Sequence, residues 1–101
     1  MQLLTKTLTE KIPKLYETEG LEAKDKIAQV KLFLPGTACT WYVVEFDGND
    51  TCFGLVDLGY GQDVEFGYFS LKELSEQRSL YGLGVERDIY FEPSVFGNIR
   101  T

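Results

Sequence analysis

A single α+β domain spanning residues 1–101, an antiparallel sheet of four to five strands with two short helices, is what this sequence predicts. Three observations carry that reading. Apolar and polar residues alternate in several stretches between residues 27 and 91, the period of a half-buried strand. Those stretches are separated by turn residues, above all Pro35-Gly36 and Asp47-Gly48-Asn49-Asp50. Two further segments open on helix caps. Strands joined by tight turns are antiparallel, because a parallel pair needs a long crossover.

In chain order, TKTLTEKIPKLYETE (5–19) can cap on Thr5 or Thr7, and Leu8, Ile12 and Leu15 mark one helical face. Pro13 interrupts it, so the expectation is a short helix that kinks or restarts there. GLEAKDK (20–26) is a charged connector, and IAQVKLFL (27–34) is a strand with Val30, Leu32 and Leu34 on one side. CTWYVVEFDGNDTCFGLVDL (39–58) is a hairpin. With Gly48-Asn49 at its tip, Phe46 faces Thr51, Glu45 faces Cys52, Val44 faces Phe53 and Cys39 faces Leu58. GYGQD (59–63) turns the chain into the strand DVEFGYF. SLKELSEQRS (70–79) carries Ser70 and Glu73 at the capping-box spacing and closes at the glycines of YGLG. VERDIYFEP (85–93) is a last strand ended by Pro93, and the tail is irregular with Val95 or Phe96 tucked against the sheet.

Composition removes several functions. With 44% hydrophobic and 26% charged residues the chain resembles an ordinary globular domain, and its 14% aromatic share lets a small core hide more area. Sixteen acids against ten bases leave a net charge of −6, which opposes direct binding of nucleic acid through its phosphates. An acidic surface suits plain solubility, a basic partner, or imitation of DNA. The absence of histidine removes the commonest general base and metal ligand. Cys39 and Cys52 lie six pairs apart on the hairpin ladder, too far to bridge, and two thiols alone make a poor zinc set. DGNDTC lacks the glycine of a calcium loop, and the glycines of GYGQD precede a strand rather than the helix a dinucleotide site requires. No cofactor is expected. No stretch is long and apolar enough to span a bilayer and the first residues do not form a secretory signal, so the expected compartment is the cytoplasm.

The chemistry that remains sits on the strands. In VERDIYF, alternation puts Arg87 in a row with Val85, Ile89 and Phe91, with Glu86, Asp88 and Tyr90 opposite. A guanidinium among apolar neighbours needs a partner, and Glu45, placed by alternation on a face with Trp41 and Val43, is one candidate beside Asp57 and Glu65. A carboxylate–Arg87 pair across the sheet is therefore expected. It serves either as a ligand clamp or hydrolytic site, or as an edge arginine whose stem covers the core. Trp41, Tyr42, Phe66, Tyr68 and Tyr90 offer a stacking platform or a protein anchor; without a basic groove, a core with a partly exposed apolar patch fits them better.

The segments TWYVVEFDG, DTCFGLV, EFGYFSLKEL and GVERDIYFEP, with the opening MQLLTKTL, resemble a family of small bacterial, phage and plasmid proteins catalogued as domain of unknown function 2958. The residues that carry the resemblance are Trp41, Tyr42, Glu45, Phe53, Gly54, Glu65, Gly67, Tyr68, Phe69, Glu86, Arg87 and Asp88; GYGQD and the cysteines depart from it. The resemblance implies a setting on mobile elements near DNA-processing or defence genes, and no activity. The expected function is a non-catalytic accessory binding protein of a phage or mobile element that engages a host or element-encoded protein, with an anti-defence role and self-association both open. The rivals are a small-ligand binder or hydrolase built on Arg87 and the carboxylates, and an acidic DNA mimic. Candidate binding residues are Trp41, Tyr42, Glu45, Asp57, Glu65, Tyr68, Glu86, Arg87 and Asp88.

Overall fold

The hairpin at 39–58 forms the middle of the molecule, and everything else is arranged around its two faces. The computed structural model describes residues 3–59 and 64–99. Five strands make one antiparallel sheet: β2 (Val30–Phe33), β3 (Thr40–Phe46), β4 (Thr51–Asp57), β5 (Val64–Ser70) and β6 (Glu86–Arg87), in the order β5-β4-β3-β2-β6. Two short strands, β1 (Ile27–Ala28) and β7 (Ser94–Val95), pair separately, and two helices, α1 (Lys6–Lys11) and α2 (Leu71–Ser75), complete the α+β fold. No helix among the described residues is long and apolar enough to cross a membrane.

The β3–β4 turn is built by one side chain. Asp47 Oδ1 accepts from the amides of Asn49, Asp50 and Thr51 at 2.8, 2.8 and 3.1 Å, while Gly48 takes the left-handed φ of 86° that the turn demands. From Thr40↔Asp57 to Val43↔Gly54 the register is the one the hairpin predicts, and Cys39 Sγ lies 3.6 Å from the Leu58 carbonyl oxygen. Nearer the turn it shifts: Glu45 faces Phe53 and Phe46 faces Cys52, because a β-bulge inserts one residue at Val44. Gly54 is required there. A Cβ at that position would lie 1.7 Å from the Tyr42 carbonyl oxygen, so the two strands approach more closely than any side chain permits.

The bulge inverts the facing of all that follows it on β3. Trp41 and Val43 point into the larger core with Leu32, Val56 and Cys52, and beyond the bulge Phe46 joins them. Glu45 goes to the opposite face, paired with Phe53, and not to the Trp41 face that simple alternation assigns it. The larger core is roofed by Leu3, Leu4, Leu8 and Ile12 from the N-terminal segment and by Leu71 and Leu74 of α2. On the other face Tyr42 and Leu55 pack with Phe66 and with Phe91, Phe96 and Ile99 from the chain's last turn.

Other elements depart from expectation for local reasons. Thr5 caps α1 by accepting from the Leu8 amide at 3.2 Å, but the helix ends for good at Ile12, which is extended as a residue before proline must be, and Pro13 instead accepts from the Phe46 amide at 2.9 Å. The strand expected at 27–34 divides at Gln29, which sends β1 away to pair with β7. α2 ends five residues in, because Arg78 Nη1 donates to the carbonyls of Ser75 and Gln77, each at 2.7 Å, and closes its C-terminus. Ser70 accepts from the Glu73 amide at 3.2 Å as expected of a cap, with Asp50 of the hairpin turn adding a bond from the Lys72 amide at 2.8 Å. The expected strand 85–93 survives only at Glu86–Arg87: Asp88 Oδ1 accepts from the Tyr90 amide at 3.0 Å and the chain turns, leaving Ile89 and Tyr90 exposed. Four residues of the turn GYGQD, 60–63, lie outside the described residues.

The two cysteines are free, and Cys52 is fully buried. Burial, with Asp47 and Asp50 nearby, pushes its thiol up to about 12, so it holds almost no thiolate at neutral pH. Titrating the native protein with a thiol reagent at pH 8 should modify Cys39 alone; rapid labelling of both would contradict the packing of the larger core.

Candidate functional site

The sheet register fixes the faces of Trp41, Tyr42, Glu45, Asp57, Glu65, Tyr68, Glu86 and Arg87. On the first face, Glu65, Val56, Trp41, Leu32 and Arg87 form a single cross-strand row. Glu65 and Arg87 thus occupy opposite edges, four strand spacings or about 19 Å apart, and cannot pair. The second face carries Tyr42, Glu45, Asp57, Tyr68 and Glu86, and Asp88, just past β6, donates its amide to the Lys31 carbonyl at 2.9 Å. The expected convergence of Arg87 with Glu45, Asp57 or Glu65 is therefore not formed: Glu45 and Asp57 are on the other face and Glu65 is a sheet's width away.

Arg87 Nη1 instead donates to the Leu3 carbonyl at 2.8 Å, tying the N-terminal segment to the edge strand β6. Trp41 is buried in the larger core. Leu3 is buried too, so losing this donor leaves its carbonyl poorly satisfied. Arg87→Ala should destabilise the fold by about 1–3 kcal/mol in urea titration. A variant of unchanged midpoint would return Arg87 to the list of purely functional groups.

The polar cluster on the second face centres on Glu45, whose surface is 3% exposed. Tyr16 N–H donates to Oε1 at 2.8 Å and Thr18 N–H to Oε2 at 3.0 Å, while the Thr18 hydroxyl donates to Oε2 as well. Lys26 Nζ donates to the Thr18 carbonyl and, at 3.1 Å, to the Thr18 hydroxyl oxygen, and rests 5.8 Å from the centre of the Phe53 ring. Burial works to raise the Glu45 carboxyl, but the hydrogen bonds of Thr18 and Tyr16, with the Lys26 charge, outweigh it and hold the group below the usual carboxylate range. Tyr16 adopts φ 73°, a left-handed conformation costly for any residue with a Cβ, and in it the Tyr16 N–H is directed at Glu45 Oε1.

Beside this cluster a hollow of about 310 Å³ is lined by Tyr16, Glu19, Leu21, Lys26, Phe53 and Tyr68 with Glu45. Burial and the neighbours Tyr16, Glu45 and Glu19 raise the Tyr68 hydroxyl. Every acceptor on Glu45 is engaged from within, so the cluster clasps the 16–26 segment to the sheet rather than presenting a free carboxylate. Tyr16, Thr18 and Lys26 are not singled out by the sequence: Tyr16 and Thr18 end the 5–19 stretch that reads as a kinked helix, off its apolar face, and Lys26 ends the charged connector 20–26.

A second hollow, about 560 Å³, lies along the β2–β6 edge and is lined by Lys31, Phe33, Thr37, Thr40, Glu86, Arg87, Asp88, Ile89 and Tyr90. It gathers two cations and two acids, and the nearby Tyr42 hydroxyl is raised by burial and then by Asp57 and Asp88. Among the described residues no group of three Cys, Asp or Glu side chains is placed to hold a metal ion.

A further surface feature is a loop between α2 and β6. Arg78 and Gly84 form an isolated bridge, Ser79 N–H donates to the Leu83 carbonyl at 2.8 Å, and Ser79 Oγ accepts from both the Tyr81 and Leu83 amides at 3.2 Å. Gly82, at φ 77°, completes the turn. This hydrogen-bonded frame holds Leu80 100% exposed and Tyr81 83% exposed, with Leu83 beside them.

Compared with known proteins, the chain matches the family model "Protein of unknown function (DUF2958)" over residues 3–96. No curated protein and no solved structure matches it.

Proposed function

Because the chain belongs to the DUF2958 family of proteins of unknown function, we infer its role from its surface chemistry: a non-catalytic binding protein that engages another protein. The observation that carries this reading is the framed loop at 79–84. Two large apolar side chains held in full contact with water cost solvation free energy, and binding recovers it without a further cost of ordering the loop. Tyr and its apolar neighbours are the residue types that anchor interfaces when a partner's pocket receives them. The acidic balance, 16 acids to 10 bases, favours a basic partner surface.

The setting proposed with it is the one the family resemblance implies: an accessory protein of a phage or mobile element, acting in the cytoplasm on a host or element-encoded protein, with an anti-defence role. Capture from host lysate on the immobilised protein, run beside the double variant Leu80→Ser, Tyr81→Ser, is the test. The native chain should retain a dominant partner that the variant loses by tenfold or more, with melting temperatures equal. Equal capture by both, or capture of nothing, would remove the loop as the anchor.

A further inference from the structure

β5 is the outermost strand of the five, seven residues long, and among the described residues nothing pairs with its outer side. Which groups it presents follows from the ladder. Leu71 N–H donates to the Asp50 carbonyl at 3.0 Å, one pair beyond Thr51↔Ser70, so hydrogen-bonded pairs alternate from there: Cys52↔Phe69, Gly54↔Gly67, Val56↔Glu65. The backbone N–H and C=O groups of Phe66 and Tyr68 consequently point away from β4. Sheets usually blunt such an edge with lysine, proline, a bulge or a covering segment. VEFGYFS has neither lysine nor proline, and its pairing with β4 runs without a bulge.

The side chains along this edge discriminate between occupants. On one face Phe66 and Tyr68 flank Phe53, with ring centroids 5.8 and 5.1 Å from it, an aromatic ladder that stops at the sheet edge. Val56, Leu58 and Glu65 of the other face border a hollow of about 450 Å³ that runs to the strand edge, where Phe66 and Tyr68 also line it, and Gly67 lacks the side chain that would fill it: a Cβ there would meet nothing within 4 Å. Neither β4 nor β5 contains a base, while both contain an acid, Asp57 and Glu65. An added strand therefore meets apolar surface at alternate positions on one face and, on the other, the Glu65 carboxylate, which forms no ion pair among the described residues.

We propose that the outer edge of β5 is a strand-docking site that receives an extended segment of a partner protein, apolar on one side and basic on the other. Main-chain bonds to Phe66 and Tyr68 hold the segment. A lysine or arginine lays its stem over Gly67 and Val56 and brings its cation to Glu65, and the opposite side chains prolong the aromatic ladder. A second copy of the chain suits the edge less well, because both copies carry a net charge of −6. The inference rests on the reading of the protein as a binding module and names a surface separate from the 79–84 loop.

The probes are two synthetic heptapeptides at about 1 mM, one alternating lysine with valine and one alternating glutamate with valine, with amide hydrogen exchange followed by NMR. The lysine peptide should slow exchange of the Phe66 and Tyr68 amides at least tenfold and the glutamate peptide should not. Glu65→Lys should reverse that preference, and Tyr68→Pro, which removes an N–H that β4 does not use, should abolish protection at Phe66. The double variant Leu80→Ser, Tyr81→Ser should respond like the native chain. No protection by the lysine peptide overturns the edge site even if the loop still captures its partner. Binding that leaves those two amides unchanged does the same, as does their protection without peptide in a sedimenting dimer.

Discussion

Gly54→Ala should cost the protein more than about 4 kcal/mol, enough to leave a domain of this size largely unfolded at 25 °C. The added methyl would sit 1.7 Å from the Tyr42 carbonyl oxygen and 2.8 Å from its carbon, and both are backbone atoms of a central strand that cannot swing aside. Relief requires β3 and β4 to separate, which breaks the ladder at the bulge and opens both faces together. Gly67→Ala is the internal control. Gly67 is the direct partner of Gly54 across β4 and β5, yet its Cβ would project into open space, so the unfolding free energy of Gly67→Ala from urea titration should change by less than about 0.5 kcal/mol. Equal effects at the two glycines would mean that the close approach at Tyr42 is not what glycine serves.

Glu45→Gln is the second large effect, about 3 kcal/mol or a fall of roughly 15 °C in melting temperature. The amide keeps one acceptor and turns an NH₂ toward donors, so either the Tyr16 or the Thr18 N–H loses its partner in a buried setting, and Lys26 loses the charge it balances. Exchange of the Tyr16 and Thr18 amides should accelerate in step. The pH dependence has a definite sign. Glu45 is held below its ordinary value in the fold, so its contribution is fully present above about pH 4.3 and is lost as pH falls through the folded value. Asp47 and Asp50 are lowered too, Asp47 first by the Asn49 and Asp50 amides and Asp50 first by the Ser70 hydroxyl, and they act in the same direction. Native protein should therefore lose stability below about pH 4 more steeply than Glu45→Gln does, as read from urea midpoints across pH 2.5–6 at roughly half-unit steps.

The parts of this fold that the sequence announced are those set by short-range chemistry. Asp47 and Gly48 specify the turn, Ser70 and Thr5 specify helix starts, and the β-branched and aromatic runs around them specify strands. The bulge left no such mark. Val43-Val44 reads as uninterrupted strand, and the glycine whose missing Cβ allows the close approach beside it, Gly54, lies ten positions beyond Val44. Missing it sent Glu45 to the wrong face and suggested a partnership with Arg87 that the sheet separates. VERDIYF misled in another way: its alternation is real, but Asp88 can satisfy the Tyr90 amide with its own side chain, and a turn wins over two more strand pairs. The clasp of Tyr16, Thr18 and Lys26 on Glu45 is not legible in the sequence because residues 13–19 read as a helix restarting after Pro13, whereas the helix ends at Lys11 and only the third dimension brings residues 16 and 45 together.

The pairing of Ile27 with Val95 has a bearing on how the protein is made. At the ribosome's roughly 5–20 residues per second, about 3–14 s separate the emergence of one from that of the other. In the later part of that interval Tyr42, Leu55 and Phe66 have left the tunnel and can already be zipped into their hairpins, but the Phe91 and Phe96 rings that shelter them have not yet emerged. The nascent chain thus passes through a half-dressed stage with one greasy side open to the cell, where a chaperone, or an early-arriving binding partner, would find it.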